Sequence, residues 1–373
     1  MSILLTTLHL DTNRLTESNK SMRKIISTAK LLSLGACLIS THAFAESKQE
    51  PTQALYPAGL VSLSDDNNFS NHSLIVNKAT RTLSIYEWTS GKINKIAEFP
   101  ADFGKNSGDK VKANDHRTPV GIYFLQKEMT QPEIPFDMYG NLAFATDYPN
   151  IFDKRDDKTG SGIWLHAVPD TVPLTRGSRG CVVVRNEVIK QIKSYIKLEQ
   201  TPLLIFDDLQ MLSEKKYNEQ KNDFLKNFEQ WRIAWEQQDV DTYIKFYDQT
   251  FRNDEMNYKQ WYKHKKKLKS LYSFIKVQLS PPIILRNRDQ VVIRTIQRYQ
   301  SNLHQDYGEK TIHAHYSPEV GFRIIREDWK PLPDPLASQQ AQPDSSSMNT
   351  KDKEMLFKRT AQGANPSAER SHQ

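Results

Sequence analysis

The chain is 373 residues long and carries 51 Lys and Arg against 44 Asp and Glu, a formal charge of +7. That mild excess of base falls far short of a nucleic-acid footprint, and the length exceeds what one small core organises, so two domains are expected. The two cysteines, Cys37 and Cys181, leave no room for a disulfide framework.

The predicted elements begin with a signal segment over residues 1–45. From Met22, M-R-K-I-I-S-T-A-K supplies a positive start and L-L-S-L-G-A-C-L-I-S a short apolar core. T-H-A-F-A then offers a cleavage site between Ala45 and Glu46. Residues 1–21 lack signal character, which makes Met22 the expected start. Export to the periplasm is the expectation; L-G-A-C also offers a lipoprotein processing site that would leave Cys37 as a lipidated N-terminus. The apolar run is too short to cross a bilayer, and no later stretch approaches the roughly 20 residues a membrane helix needs. Cleavage removes five Lys/Arg and two Asp/Glu and leaves +4.

Residues 46–70 are polar and turn-rich and read as a flexible leader. Strand signals begin at His72, where S-L-I-V-N and T-L-S-I-Y-E-W predict a hairpin around residues 78–81. A Gly-rich polar segment, F-G-K-N-S-G-D-K-V-K-A-N-D-H-R-T-P-V-G, leads into the strand I-Y-F-L. Residues 163–166 and 182–184 predict further strands. Asn186 is expected to cap a helix with Val188, Ile189, Ile192 and Ile196 on one face. T-P-L-L-I-F, from Thr201, closes a mostly β domain over residues 71–210.

From Leu212 the pattern turns helical. F-L-K-N-F-E-Q-W-R-I-A-W-E sets Phe224, Phe228, Trp231 and Trp235 on one stripe, read as core and not as a ligand cage. D-V-D-T-Y-I-K-F-Y predicts a second helix and N-Y-K-Q-W-Y-K-H-K-K-K-L-K a third, whose basic end, residues 263–269, reads as a solvated face. S-F-I-K-V-Q-L, D-Q-V-V-I-R-T-I-Q-R-Y, T-I-H-A-H-Y and V-G-F-R-I-I-R-E-D-W predict strands. Three helices laid across a curved antiparallel sheet make an α+β domain over residues 218–331. Residues 332–373 lack apolar content and read as a disordered tail.

The chemistry gathers at S-R-G-C-V-V-V, where Cys181 is the sole mature thiol. A lone thiol in an oxidising compartment is open to mispairing, and chemistry is a reason to keep one. His166 lies fifteen residues earlier, at the end of G-I-W-L-H. A thiol nucleophile and an imidazole base are therefore expected to meet at one edge of a sheet. Taken singly, Cys181 also fits as a small buried hydrophobe and His166 as a satisfied core histidine. Gly180 lets backbone approach a substrate and is expected to free amide N–H groups for an oxyanion. Ser178 either shapes that site, within reach of substrate, or caps the turn. Arg179 stays protonated at any relevant pH; it lowers the thiol pKa, holds a substrate carboxylate, or forms a surface ion pair that orders the loop. Arg117, Thr118 and Pro119 are expected to turn the chain at the rim of the cleft. His313 and His315 alternate along one strand, yet no third ligand is evident, so no metal is expected, nor any cofactor.

This ordered set resembles the L,D-transpeptidase catalytic domain, the YkuD fold, over about 135 residues. The hallmark of that family is a His-Gly pair followed by Ser-His-Gly-Cys, to which His166, Ala167, Ser178, Arg179, Gly180 and Cys181 correspond here. G-D-K-V-K-A-N-D-H-R-T-P-V-G-I-Y resembles the family's approach segment. Y-G-N-L-A-F-A-T-D-Y-P-N and K-T-G-S-G-I-W-L-H resemble a branch that often carries a second, cone-shaped domain. Ala167 replaces the usual Gly and Arg179 the usual His, and neither change removes the nucleophile or the base. Residues 220–330 resemble the nuclear-transport-factor-like (SnoaL-like) cone, with W-R-x-A-W-E-x-x-D-V-D-x-Y-I-x-F-Y as the matching stretch.

The resemblance implies a periplasmic cysteine acyltransferase of cell-wall biogenesis acting on peptidoglycan stem peptides. Cys181 would attack the carbonyl of the L-centre of the third stem residue. D-Ala would leave, protonated by His166, and an acyl-enzyme would remain. The backbone carbonyl of Ala167 would orient the imidazole, a task that needs an acceptor and not a charge. Transfer to an amine gives a cross-link; transfer to water gives an L,D-carboxypeptidase, as in two-domain members that affect cell shape. A non-catalytic wall-binding module is the alternative of a different class. The cone shows no acid–base pair in the sequence and is expected to be non-catalytic, open to a cell-wall or protein partner.

Overall fold

The computed structural model describes residues 54–336; the expected signal segment with Met22 and Cys37, and residues 337–373 of the expected tail, lie outside them. In chain order the elements begin with β1 (Leu55–Pro57), β2 (Leu60–Ser62), β3 (His72–Asn77), β4 (Thr82–Thr89), β5 (Lys92–Pro100) and β6 (Gly121–Thr130). Then come α1 (Phe136–Tyr139), β7 (Leu142–Thr146), α2 (Ile151–Arg155), β8 (Trp164–Val168), β9 (Val182–Arg185), α3 (Asn186–Lys193), β10 (Pro202–Phe206) and β11 (Met211–Ser213). The second half holds α4 (Glu214–Glu236), α5 (Val240–Tyr243), α6 (Tyr258–Leu271), β12 (Ile275–Leu279), β13 (Ile283–Asn287), β14 (Gln290–Ser301), β15 (Gln305–Ser317) and β16 (Gly321–Pro331).

An eight-stranded sheet, in the order β5-β4-β3-β10-β6-β7-β8-β9, forms the first domain. Its last pair, β8 and β9, is parallel. Side chains alternate between faces along a strand, and both faces are used. Leu74, Val76, Tyr123, Leu125, Leu165, Ala167, Val182 and Val184 pack with Ile189 and Ile192 of α3 in one core. The opposite faces of β3, β6 and β10, through Ile75, Ile122 and Leu204, share a second core with Ile283, Leu285, Val292 and Ile325 of the other domain. The two domains are thus joined by apolar burial and not by a loose linker.

The second domain is the expected cone: α4, α5 and α6 against a six-stranded antiparallel sheet in the order β16-β15-β14-β13-β2, with β12 also on β14. Phe224, Phe228, Trp231 and Trp235 are buried along α4, as the stripe predicts. Asn257 and Gln260 close a capping box at the start of α6.

Four expectations change. The leader over 46–70 is ordered from residue 54, because β1 pairs with β11 and β2 with β13. Leu60 and Val61 are fully buried, so Leu60→Ala would cost about 2–5 kcal/mol. Asn186 is the first residue of α3 and not its cap. Its Oδ1 accepts from the Asn141 amide at 2.9 Å and its Nδ2 donates to the Val168 carbonyl at 3.2 Å, so the side chain ties strands together. The short run P-P-I-I-L-R-N yields β13, a strand buried on both faces that carries no polar alternation to announce it. Residues 332–336, expected in the tail, are placed against the cone, since Arg298 grips Asp334 with both guanidinium nitrogens at 2.5 and 2.7 Å.

Candidate active site

Register and alternation bring Cys181 and His166 to one face. Leu165 pairs with Val182 and His166 with Val183, while Leu165 and Val182 point into the core. Cys181, one residue before Val182, therefore faces the same side as His166. There it packs with Val168 and Val183 in a small separate cluster. Both side chains line a cleft of about 560 Å³, together with Tyr139, Ile163, Arg176, Ser178 and Arg179.

His166 is 4% exposed, and its Nδ1 lies 2.6 Å from the Ala167 carbonyl. That acceptor calls for a proton on Nδ1, which leaves Nε2 as the basic nitrogen. Burial pulls the imidazole down to about 4, with the Ala167 carbonyl opposing and Arg176 adding to the fall. Tyr139, at the end of α1, meets the imidazole edge-on at 5.0 Å and packs on Trp164 at 4.8 Å. The turn after it brings Gly140, at φ 61°, so close to β8 that an added Cβ would sit 2.7 Å from that of Ala167.

Cys181 is 9% exposed, with its sulfur 3.5 Å from the Gly162 carbonyl. Burial pushes the thiol up to about 11, against the Trp164 backbone and Lys110, which favour the thiolate. The expectation that Arg179 depresses this pKa is not met, because Arg179 is exposed and absent from the charges that move the thiol. These shifts favour a neutral thiol and a neutral imidazole at pH 7; the sulfur's own hydrogen bond goes to Gly162, and His166 lines the same cleft.

The loop before Cys181 is fixed by backbone. Buried Asp102 accepts from the Gly177 and Phe103 amides at 2.7 and 2.9 Å and pairs with Arg81. The Ser178 hydroxyl donates to the Cys181 carbonyl at 2.7 Å and accepts from the Gly180 amide at 3.0 Å. The Gly180 N–H, expected to face an oxyanion, donates to the Ser178 hydroxyl at 3.0 Å. Ser178 closes the turn, both functions of its hydroxyl being used within it. Gly180 is required for another reason: at φ 134° its Cα faces the Arg117 carbonyl, and a Cβ would meet that oxygen at 2.7 Å. The Arg117-Thr118-Pro119 segment therefore buttresses the nucleophile loop, with Thr118 Oγ1 accepting from Gly104 at 2.9 Å.

Electrostatically the cleft has one sign. Lys105, Lys110, Arg176 and Arg179 line it, and no carboxylate does among the described residues. Lys110 is paired with Asp115 at 2.8 Å. The side chains of Lys105, Arg176 and Arg179 have no ion pair or hydrogen bond within the described residues, so the surface ion pair considered for Arg179 is absent. Asp115 also accepts from the amides of Val111, Lys112 and Arg117. Burial would raise its carboxyl, but these bonds and Lys110 hold it well below the usual range. Tyr139, Asp102, Lys105, Arg176 and Asp115 were not singled out from the sequence. Only Asp115 had a local signal, an Asp ahead of a turn-forming R-T-P.

His313 and His315 lie elsewhere, against Phe152 at 5.7 and 5.8 Å, each beside its own carboxylate, Asp328 and Asp289. No trio of metal-ligating side chains comes together among the described residues. In the cone, Lys265 corrects the solvated reading of residues 263–269: its ammonium lies 4.3, 5.1 and 5.2 Å from the rings of Trp261, Trp235 and Tyr243.

Residues 71–205 match the family model of the L,D-transpeptidase catalytic domain, and residues 223–328 that of the Cds6 C-terminal NTF2-like domain. No curated protein matches. Among solved structures, Bd1075 of Bdellovibrio bacteriovorus is 52% identical, over 75% of this chain and 100% of that one, with a TM-score of 0.70. The helical cell shape determining protein Pgp2 from Campylobacter jejuni is 28% identical over 73% of this chain and 95% of its own, with a TM-score of 0.60. With Cys181 and His166 on one face of the β8–β9 edge and these full-length likenesses, the chain belongs to the L,D-transpeptidase (YkuD) family, in the two-domain form that ends in an NTF2-like cone.

Proposed function

We propose that the protein is an exported peptidoglycan acyltransferase that works through a Cys181 acyl-enzyme on tetrapeptide stems. The observation that carries the reading is that Cys181 shares one cleft, lined by cations, with a His166 already oriented by the Ala167 carbonyl. Nε2 of His166 takes the thiol proton as sulfur attacks the carbonyl of the third residue's L-centre. The imidazolium then returns that proton to the amine of the departing D-Ala. Sulfur is acylated, and an amine or water releases the product. With the Gly180 amide engaged, the Tyr139 hydroxyl is the donor we assign to the developing oxyanion; it makes no hydrogen bond within the described residues. Cys181 and Arg179 both bear on its pKa, which burial raises first. Arg179 takes a carboxylate of the stem peptide, a bidentate contact suited to a guanidinium without a partner.

A cell-shape role is part of this proposal, by likeness to Pgp2. Cross-linking and trimming share the acyl-enzyme and differ in the acceptor. Incubation of the purified protein with disaccharide-tetrapeptides, with products resolved by mass, tests the reading. Cross-linked dimers mean transpeptidation and tripeptides mean carboxypeptidase trimming. Unchanged substrate would reject both and leave the wall-binding module.

A further inference from the structure

We infer that Arg288, on the second domain, is a positioning residue for the cleft loop, residues 104–120. The cone domain then acts on the first domain's chemistry by holding that loop. The kinetic consequence rests on the proposed function; the structural one does not.

The loop has no helix or strand of its own, yet Lys110, Ala113 and Asn114 on it line the cleft. Its inner turn is organised by Asp115. Its root depends on a set of charges at the domain boundary. Lys78 Nζ donates to the carbonyls of Gly108 and Thr118 at 2.7 and 3.2 Å and pairs with Asp207 at 2.7 Å. Asp109 accepts from the Val120 amide at 2.7 Å and pairs with Lys158 at 2.9 Å; Lys158 in turn reaches Asp153 at 3.1 Å. Lys158 leads into the opposite wall of the cleft, Gly160 to Gly162. Thr159 bonds across to Val111 and Ala113 at 3.0 Å each. The first domain alone supplies three carboxylates here, Asp109, Asp153 and Asp207, against two ammonium groups.

Arg288 is the third cation. From the β13–β14 turn it pairs with Asp207 at 2.6 Å and stands 3.7 Å from Asp109. One guanidinium thus ties the cone to both anchors of the loop root. The turn is itself pinned to the first domain, since Asn287 Nδ2 donates to the carbonyls of Gly121 and Ile205 at 3.1 and 2.7 Å.

The backbone gives an independent reason. Asn287 pairs with Gln290, so Arg288 and Asp289 form a two-residue hairpin turn, and Arg288 has φ 56°. Gly, Asn or Asp suit that left-handed position, and a long side chain does not. A residue that breaks the local rule while completing a charge cluster elsewhere marks a function outside the turn.

Arg288→Asn keeps a residue at ease in the left-handed region and removes only the bridge, so the turn itself is not put at risk. Hydrogen exchange on the full chain reads the loop directly. We expect faster exchange of the amides of residues 104–120 in Arg288→Asn, near-wild-type exchange in Arg288→Lys, and none of this in the control Arg298→Ala. On tetrapeptide substrates, kcat/KM falls about three- to tenfold in Arg288→Asn, mainly through KM, because the loop lines the cleft without holding the reacting atoms. Arg288→Lys restores most of it. Unchanged loop exchange in Arg288→Asn overturns the inference, as does a fall in kcat alone that tracks a lower melting temperature. Should the wild type turn over no tetrapeptide, the proposed function fails, while the exchange result still decides the role of Arg288.

Discussion

The cleft and the Tyr243–Tyr247–Glu327–Lys310 network inside the cone differ in whether their polar groups have partners within the protein. In the cone, the Tyr243 and Tyr247 hydroxyls bond to each other and Tyr247 bonds to Glu327. Trp231 Nε1 donates to Tyr247 at 3.3 Å, and Lys310 pairs with Glu327 at 2.8 Å. The cavity beside Trp235 and Lys265 is only about 20 Å³, room for at most a water. In the cleft, about 560 Å³ is open, and Lys105, Arg176, Arg179 and the Tyr139 hydroxyl face it without partners among the described residues. The charges of that network stabilise the fold around it, and the cleft's are left for something that arrives.

Cleft variants should accordingly lose turnover and keep their fold. Cys181→Ala is the strongest break: all product formation stops while circular dichroism and melting stay unchanged, because only a sulfur in a small cluster is removed. Product at near-wild-type rate would sink the mechanism. His166→Ala comes next, a loss of at least ~10²-fold. In the wild type, a base held near 4 and a thiol raised to about 11 make kcat/KM flat across neutral pH. It should fall only as His166 takes a proton near pH 4. An acid limb at the ordinary imidazole value would mean that burial does not set this base. Arg179→Gln, in a Cys181→Ala background, should weaken tetrapeptide binding about 10- to 100-fold, the loss of a charge-assisted hydrogen bond. Equal affinities would reject the carboxylate contact.

How much of this the chain announced follows from distance along the sequence. The meeting of Cys181 and His166 on one face, with the Ala167 carbonyl at the imidazole, was legible because a short motif carries these residues and strand alternation aims them. The three helices were legible from apolar spacing. The bond from the Gly180 amide to Ser178 was not legible, since whether an amide is free depends on a hydroxyl two residues away, which composition does not reveal. Asp102 and Arg288 were invisible for a deeper reason. Asp102 holds Gly177 across 75 positions, and Arg288 reaches Asp207 across 81, so no local pattern records either pairing. The leader was misjudged because β1 and β2 are three residues each and gain their order from strands more than 150 residues later.

Tyr139→Phe sharpens the comparison within the cleft. The ring contacts to His166 and Trp164 remain and only the hydroxyl goes, so kcat should fall about 10-fold with KM little changed, below the 10²–10³ of a dedicated oxyanion donor in an enzyme. An unaltered kcat would remove Tyr139 from the chemistry and leave it as packing for the imidazole.

The smallest effect on turnover belongs to the cone, and there the comparison is most exposed to failure. Lys310→Met leaves Glu327 buried at 8% side-chain exposure without its cation, a change that costs about 3–5 kcal/mol and lowers the melting temperature by roughly 10 °C. Lys310→Met with Glu327→Gln should recover part of that, because an amide oxygen still accepts from Tyr247 and no charge is stranded. In both variants kcat per folded molecule, counted by titrating Cys181, should stay within about twofold of wild type, since an internally satisfied network has nothing to give a substrate. Loss of turnover at an unchanged melting temperature would invert the comparison: the cone's charges would then be working groups, and the wall-binding reading would gain over a purely structural one.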